Sequence, residues 1–506
     1  MTATVAEAQT TEHRRSASDG LARALEFDFA QPLAFLALAA AYLLSRLPFI
    51  NIGYGTDPDS WRVALTGYWL WDHHEYYPSR LPGYPIPELA SAAVIKGGWL
   101  ATNMLTVLIS LAGLWFFARI VAKLDVPNRA VLVVAFAFTP LLWINSMTTM
   151  DYMWALTFML ASYYFLIGRN VAVAGIMLGL AVGSRSTSIA MVLPFAVYLW
   201  RDGRKDEIRS FVVAMLGVAI LAWAPIYWKY GPSMFNFYDS KVGYLAVLRL
   251  LGKDCLGLIG SIAVLAAIIV SLPRLARLPM DALHDKHVDV WLLAIIVTAI
   301  TFARLPHEAA YLIPIYPFGL LLMGRYFQKW ALAGAVGVIV LAGFVDLTSP
   351  GDEINGEAFT HARLGRGLVL SNRDTMLAQR SFVRELGKQE FADRSVVAIG
   401  FVYPQFAVQN RNRFEVGMLE KDRGSISQLS DKGKLEDKEH DIIYVWLLDY
   451  KNFTRYKALT YNYRYTQDAG RSTVALYDYR PGLLGGTIID LGRTPSGGSG
   501  AARTDR

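Results

Sequence analysis

The chain is 506 residues long, 54% hydrophobic and only 18% charged, against about 45–50% and about 25% in average globular proteins. A soluble chain of that length would divide into several charge-coated domains; the charge to coat them is missing, which excludes a soluble multi-domain enzyme, a disordered chain, a collagen and a disulfide scaffold. The net charge of +7 reads as lysine and arginine in cytoplasmic loops and against anionic lipid, with no nucleic-acid partner.

Residues 1–30 form a polar N-terminal tail carrying Arg14, Arg15 and Arg23. The apolar run that follows, about 31–49, is too long for the core of a cleaved signal and lacks a small-residue exit, so it is expected to be a first spanning helix. Further runs of bilayer length fall near 99–122, 130–146, 152–168, 171–183, 187–200, 211–229, 254–272, 289–303, 309–324 and 331–347. The lone Cys255 lies in one of them and can form no intramolecular disulfide. The expected fold is therefore a polytopic α-helical membrane protein of about eleven transmembrane helices, occupying 31–349. With the N-terminus cytoplasmic, inner loops and span ends carry Arg119, Lys123, Arg201, Arg204, Lys205, Arg274 and Arg277, and the charge balance follows the positive-inside rule. An odd number of spans then sends everything after residue 350 outside.

That last part, 350–493, is compositionally different. A helix-like amphipathic stretch, Arg373–Leu386, alternates with short β-branched runs at Ser395–Ile399, Asp441–Leu447 and Thr473–Tyr477, the pattern of a small α/β soluble domain. The Gly/Ser/Arg-rich end, 494–506, reads as a disordered tail.

The first outer loop, 50–98, is far longer than an ordinary connection, which favours a functional role. It holds Asp57-Pro58-Asp59, then Trp61, Leu65, Tyr68 and Trp69 at helical spacing, as in an amphipathic helix at the membrane interface with its aromatics toward lipid. Asp57 before Pro58 reads as a helix N-cap followed by proline at the first helical position. Two carboxylates beside a membrane can equally deprotonate an acceptor or hold a divalent cation, and an N-cap can do both. The Asp72-His73-His74-Glu75 cluster lacks the i, i+4 pairing of a metal helix and reads as a solvated face. Pro82-Gly83-Tyr84-Pro85 fixes a tight turn before Glu88.

Three more features lie at outer span ends. Asp151 opens the fourth span, where a helix dipole favours an acid. Gly183-Ser-Arg185-Ser-Thr-Ser188 sets an arginine among hydroxyls, a phosphate-site pattern as well as a snorkelling one. The block Arg304-Leu-Pro-His307-Glu308-Ala-Ala-Tyr311-Leu-Ile-Pro314 brings ionisable groups to membrane depth, where they are costly and point to function.

Together, the long loop with Asp57 and Asp59, the Arg-Leu-Pro-Gly-Tyr-Pro turn, Asp151 and the His307-Glu308-x-x-Tyr311-Leu-x-Pro314 block resemble the GT-C superfamily of membrane glycosyltransferases, which includes protein O-mannosyltransferases and lipid A aminoarabinose transferases. The resemblance covers about residues 30–350. It implies a bacterial inner-membrane enzyme using a polyprenyl-phosphate-linked sugar donor and a glycan, lipid or protein acceptor on the outer face, with inversion. On that reading Asp57 is the general base, although Asp-Pro-Asp in place of a plain Asp-Glu pair leaves the choice between Asp57 and Asp59 open. Arg185, Arg304 and His307 would meet the donor phosphate. Asp151, Glu308, Tyr311 and Glu88 are candidate substrate contacts. No cofactor is certain; Asp57, Asp59 and Asp151 are the candidate ligands of a divalent cation, Mg or Mn. The competing readings are a transporter or lipid flippase, and a non-catalytic glycan-binding scaffold. Internal repeats and mid-span charges, which would favour a transporter, are not evident.

Overall fold

The computed structural model describes residue 20 and residues 24–235, 244–348, 363–387, 396–398, 403–411, 444–448, 474–478 and 486–489. Most of the N-terminal tail, and the expected disordered tail 494–506, lie outside the described residues. The helices in order are α1 (Pro32–Ile50), α2 (Pro58–His73), α3 (Pro85–Val94), α4 (Gly98–Lys123), α5 (Arg129–Phe138), α6 (Pro140–Asn145), α7 (Tyr152–Ile167) and α8 (Val171–Ser184). They continue as α9 (Val192–Arg201), α10 (Glu207–Tyr230), α11 (Tyr244–Arg249), α12 (Leu258–Leu275), α13 (Leu278–His284), α14 (Lys286–Arg304), α15 (Ile315–Tyr326) and α16 (Lys329–Ala342).

Five stretches among the described residues are long and apolar enough to cross a bilayer: Pro32–Ile50, Pro85–Lys123, Glu207–Tyr230, Leu258–Leu275 and Lys286–Arg304. Several other expected spans are shorter or broken. The run 130–146 is two helices, because Pro140 has no N–H to give and disfavours the helical conformation at Thr139. One carbonyl left at that break, Ala137 O, accepts from Arg46 Nη2 at 2.5 Å. Arg46 is 1% exposed inside α1, stacked on Tyr42 at 3.5 Å and Trp143 at 4.5 Å. Aromatic faces and carbonyls thus solvate a cation within an apolar helix. The runs 187–200 and 309–324 each begin with a 3-10 turn, Ser186–Met191 and Ala309–Leu312, before the α-helix starts.

Helix α8 packs against α10 along Gly175, Gly179 and Gly183. A methyl group at Gly175 would strike the Phe211 carbonyl, one at Gly179 would lie 2.7 Å from the Met215 carbonyl, and one at Gly183 2.9 Å from Ala222. Small residues one turn apart let two backbones approach closely where no hydrophobic force drives them together. Arg185 lies just past the end of α8.

The last expected span, 331–347, stops at Ala342. The chain then forms β1 (Val345–Thr348), paired antiparallel with β2 (Arg363–Arg366). Asp346 in β1 is buried and accepts from Leu258 N at 2.8 Å and Ile259 N at 3.0 Å, satisfying orphan donors at the start of α12. Beyond come α17 (Leu368–Gly387), α18 (Tyr403–Gln409) and β3 (Val396–Ala398), β4 (Tyr444–Leu448), β5 (Val474–Asp478) and β6 (Gly486–Ile489). These four strands form one sheet in sequence order, β3, β4 and β5 parallel and β6 antiparallel. Strands β3 to β5 fall on the three β-branched runs of the sequence, and α17 contains the amphipathic stretch Arg373–Leu386.

One expectation is overturned. Trp61 and Leu65 of α2 do not face lipid. They are buried with Tyr54, Ala64 and Ile95 against Met376 and Val383 of α17 and Phe406 of α18. The face that periodicity marks as apolar is covered by protein from the far end of the chain.

Candidate functional site

Asp57 caps α2, as its place before Pro58 suggests: its carboxylate accepts from Asp59 N at 2.8 Å. That bond uses one oxygen, and the side chain remains partly exposed. One oxygen each from Asp57, Asp59 and Glu308 lie within 4.8 Å of one another. Burial, then the charges of Glu308 and Asp59, push the Asp57 carboxyl well above the usual carboxylate range. Glu308 is raised as well, by burial and by Asp59, against the hydrogen bond it accepts from the Tyr152 hydroxyl.

The positive side of the site is built on Asp151. This carboxylate, 1% exposed, does not cap its own helix. It accepts instead from Arg80 Nη2 at 2.8 Å and Arg185 Nη1 at 2.6 Å. Arg80 also reaches Asp59 Oδ2 through Nε at 2.8 Å, so a single guanidinium links the two acids. Arg62 approaches Asp59 at 3.8 Å. Aromatic rings flank both central cations: Arg80 over Tyr84 at 3.9 Å, Arg185 over Tyr152 at 4.4 Å and over Tyr311 at 4.6 Å. Planar guanidinium groups stack and bond in the ring plane at once, and remain charged when half-buried. Helix α2, the turn after it, the start of α7, the end of α8 and the segment before α15 therefore meet at one end of the bundle.

Comparison with solved structures gives ArnT from Cupriavidus metallidurans in the apo state, at a TM-score of 0.52 and 10% identity over 88% of this chain and 93% of that one. The same protein bound to undecaprenyl phosphate matches at 0.50 and 12% identity, over 88% and 94%. At these identities the likeness is one of fold: the chain folds as ArnT does. No family model and no curated protein matches by sequence.

Within this fold, Asp57, Asp59, Asp151, Arg185, Glu308 and Tyr311, named from the sequence, converge. The carboxylate trio differs from the one named there: Glu308 joins Asp57 and Asp59, while Asp151 is engaged by two arginines. Three all-oxygen donors so close suit a hard divalent cation. Arg185 is framed by Tyr152 and Tyr311 and not by its neighbouring hydroxyls; the Ser184 hydroxyl bonds Leu180 O at 2.8 Å. Glu88, named as a substrate contact, is fully buried and accepts from Ser79 N at 2.9 Å and from the Ser79 and Tyr76 hydroxyls. Its carboxylate is spent on holding the loop beside Arg80. Arg304 and His307 are exposed, at the end of α14 and one residue before Glu308. His73 and His74 are exposed too, and neither belongs to a metal-like cluster among the described residues.

Arg80 and Tyr152 are the site residues that sequence reasoning passed over. Arg80 was visible only as the first residue of a turn. The available signal was electrostatic: Asp59 and Asp151 at apolar margins each demand a counter-charge.

Proposed function

We propose that this chain is an integral-membrane glycosyltransferase that moves a sugar from a polyprenyl-phosphate donor to a glycan, lipid or protein acceptor of the cell envelope. One observation carries the reading: a partly exposed carboxyl held above its usual range stands in one cluster with two ring-stacked arginines. Asp57 takes the proton of an acceptor hydroxyl as that oxygen attacks the anomeric carbon. The bond from that carbon to the phosphate oxygen breaks, its electron pair leaves with the polyprenyl phosphate, and the configuration inverts. A carboxylate whose pKa is raised holds a proton more firmly than a free one, which suits it to this work. The leaving phosphate needs charge rather than a proton, and Arg185 and Arg80 supply it, aided by Arg304 and His307. Asp151 holds the two central arginines in register, and Tyr311 and Glu308 line the sugar side. Asp57, Asp59 and Glu308 offer the ligand oxygens for Mg or Mn, and a cation there would polarise the acceptor hydroxyl.

The topology belongs to the same proposal: about eleven crossings of a bacterial inner membrane, the N-terminus cytoplasmic, and the site and the α/β part periplasmic. The test is purified protein in proteoliposomes, offered polyprenyl-phosphate-linked pentoses, aminopentoses and hexoses with envelope acceptors. Sugar transfer lost in Asp57→Asn supports the reading. Transfer unchanged in Asp57→Asn removes the base. Movement of donor lipid between leaflets without transfer of sugar hands the protein to the flippase reading.

A further inference from the structure

The stretch between α1 and Asp57 has its carbonyl groups held one after another by different parts of the protein. Asn103 Nδ2 of α4 donates to Ile50 O at 3.0 Å and Gly53 O at 2.8 Å. Thr149 N donates to Tyr54 O at 2.8 Å, and Trp61 Nε1 of α2 to Gly55 O at 2.8 Å. The remaining positions are held from α17. Arg380 Nη1, stacked over Trp99 at 4.5 Å, donates to Ile52 O at 3.0 Å. Gln379 Nε2 reaches Thr56 O at 3.5 Å, and Asn372 Nδ2 donates to Thr56 Oγ1 at 2.9 Å. Among the described residues, only α17 holds Thr56, the residue directly before Asp57.

The contact is close. Gly53 has φ +150°, and a Cβ there would lie 2.5 Å from Met376 Sδ; only glycine lets the loop pass under α17. We infer that α17 belongs to the reaction apparatus, with Asn372 acting through Thr56 as a positioning residue for Asp57. This rests on Asp57 being the base. The loop needs such a brace because a cap residue sits at a chain reversal, and a base misplaced by about 1 Å loses most of its advantage. Helix α2 is held at its sides by Trp61 and Leu65, but those contacts do not hold the residue that enters its cap. Asn372 anchors the Thr56 side chain there, beside Gln379 at the Thr56 carbonyl.

The test compares Asn372→Leu, Thr56→Val and the double variant in the full chain, with Thr375→Ala as control; Thr375 is exposed on the same helix and, among the described residues, bonds Ser371 O alone. The expected result is a kcat about tenfold lower in each single variant and no lower in the double. The donor KM stays unchanged, and undecaprenyl phosphate binds as in the native protein, since Arg80 and Arg185 face Asp151. Amide exchange across residues 53–60 rises about tenfold, a readout that needs no substrate. Should Asn372→Leu fail to fold, Thr56→Val deletes the same bond from its other side. Native kcat together with native exchange, additive losses, or a rise in KM alone would overturn the inference. If the native protein transfers no sugar, the reading of the site falls, and exchange still decides whether Asn372 braces the loop.

Discussion

The two ends of the bundle both carry clusters of acids and bases, and they are built to opposite plans. Helix α14 connects them, its 19 residues spanning about 28 Å. At its start, Asp285 caps the helix through His287 N at 2.8 Å and pairs with Arg325 at 2.5 Å. Arg201 pairs with Asp289 at 2.8 Å, and Lys286 and Arg204 with Asp202. Against the upward push of burial, these partners hold Asp202 and Asp285 below the usual carboxylate range. Beyond its other end, burial and mutual repulsion hold Asp57 and Glu308 above that range. One cluster is electrically complete. The other keeps carboxylates short of cations beside arginines already shared among acids, an arrangement that costs stability and makes sense where a substrate or ion completes it.

The contrast can be broken in several places. The largest effect is expected for Asp57→Asn, which should lower sugar transfer by about 10²–10⁴-fold with thermal stability equal or higher. Asp285→Asn, at the other end, should leave transfer within about threefold. Equal losses from both would erase the distinction. Arg80→Gln leaves Asp151 to Arg185 alone and Asp59 to Arg62 at 3.8 Å; leaving a buried charge wholly unpaired costs about 3–5 kcal/mol, so a smaller loss is expected here, with both transfer and the melting temperature falling and Arg80→Lys recovering only part.

Between the ends, Gly179→Leu tests how α8 delivers Arg185. Its side chain would enter the Met215 backbone, and overpacking of this kind costs about 1–3 kcal/mol. Undecaprenyl-phosphate binding should weaken along with stability. Unchanged binding would show that Arg185 is placed by its own contacts alone.

The smallest effect is pH dependence of the melting temperature. A raised acid binds its proton more readily folded than unfolded, so Asp57 and Glu308 make the protein more stable as pH falls through their raised values toward the ordinary carboxylate range. Depressed acids act in the opposite direction and lower down: the contribution of Asp202 and Asp285 is complete above about pH 4 and is lost as pH falls through their lowered values. Glu308→Gln should flatten the upper slope and leave the acid limb untouched. A flat native profile at every pH above the ordinary carboxylate range would count against the raised carboxyls.

Much of the site was legible before any coordinates because its acids sit at positions with a local signature. Asp57 precedes a proline that starts a helix, Asp151 opens an apolar run, and Glu308 follows a charged break before another. The partners of these acids carry no such mark. Arg80 and Asp151 are 71 residues apart, and Asn372 lies 316 residues after Thr56. Apolar length alone marks 130–146 as one run and carries no sign of how Pro140 divides it into two helices.

Composition and periodicity alone determined that the chain is helical and rich in apolar runs of bilayer length, with its charged clusters at the ends of those runs, since desolvation penalises charge wherever the chain is apolar. Tertiary structure decided what touches each apolar or charged face. Trp61 and Leu65 would look the same in sequence whether lipid or α17 covered them, because both are equally apolar surroundings. Which carboxylate receives an arginine, and which is left raised, is a property of distance, and distance belongs to the fold.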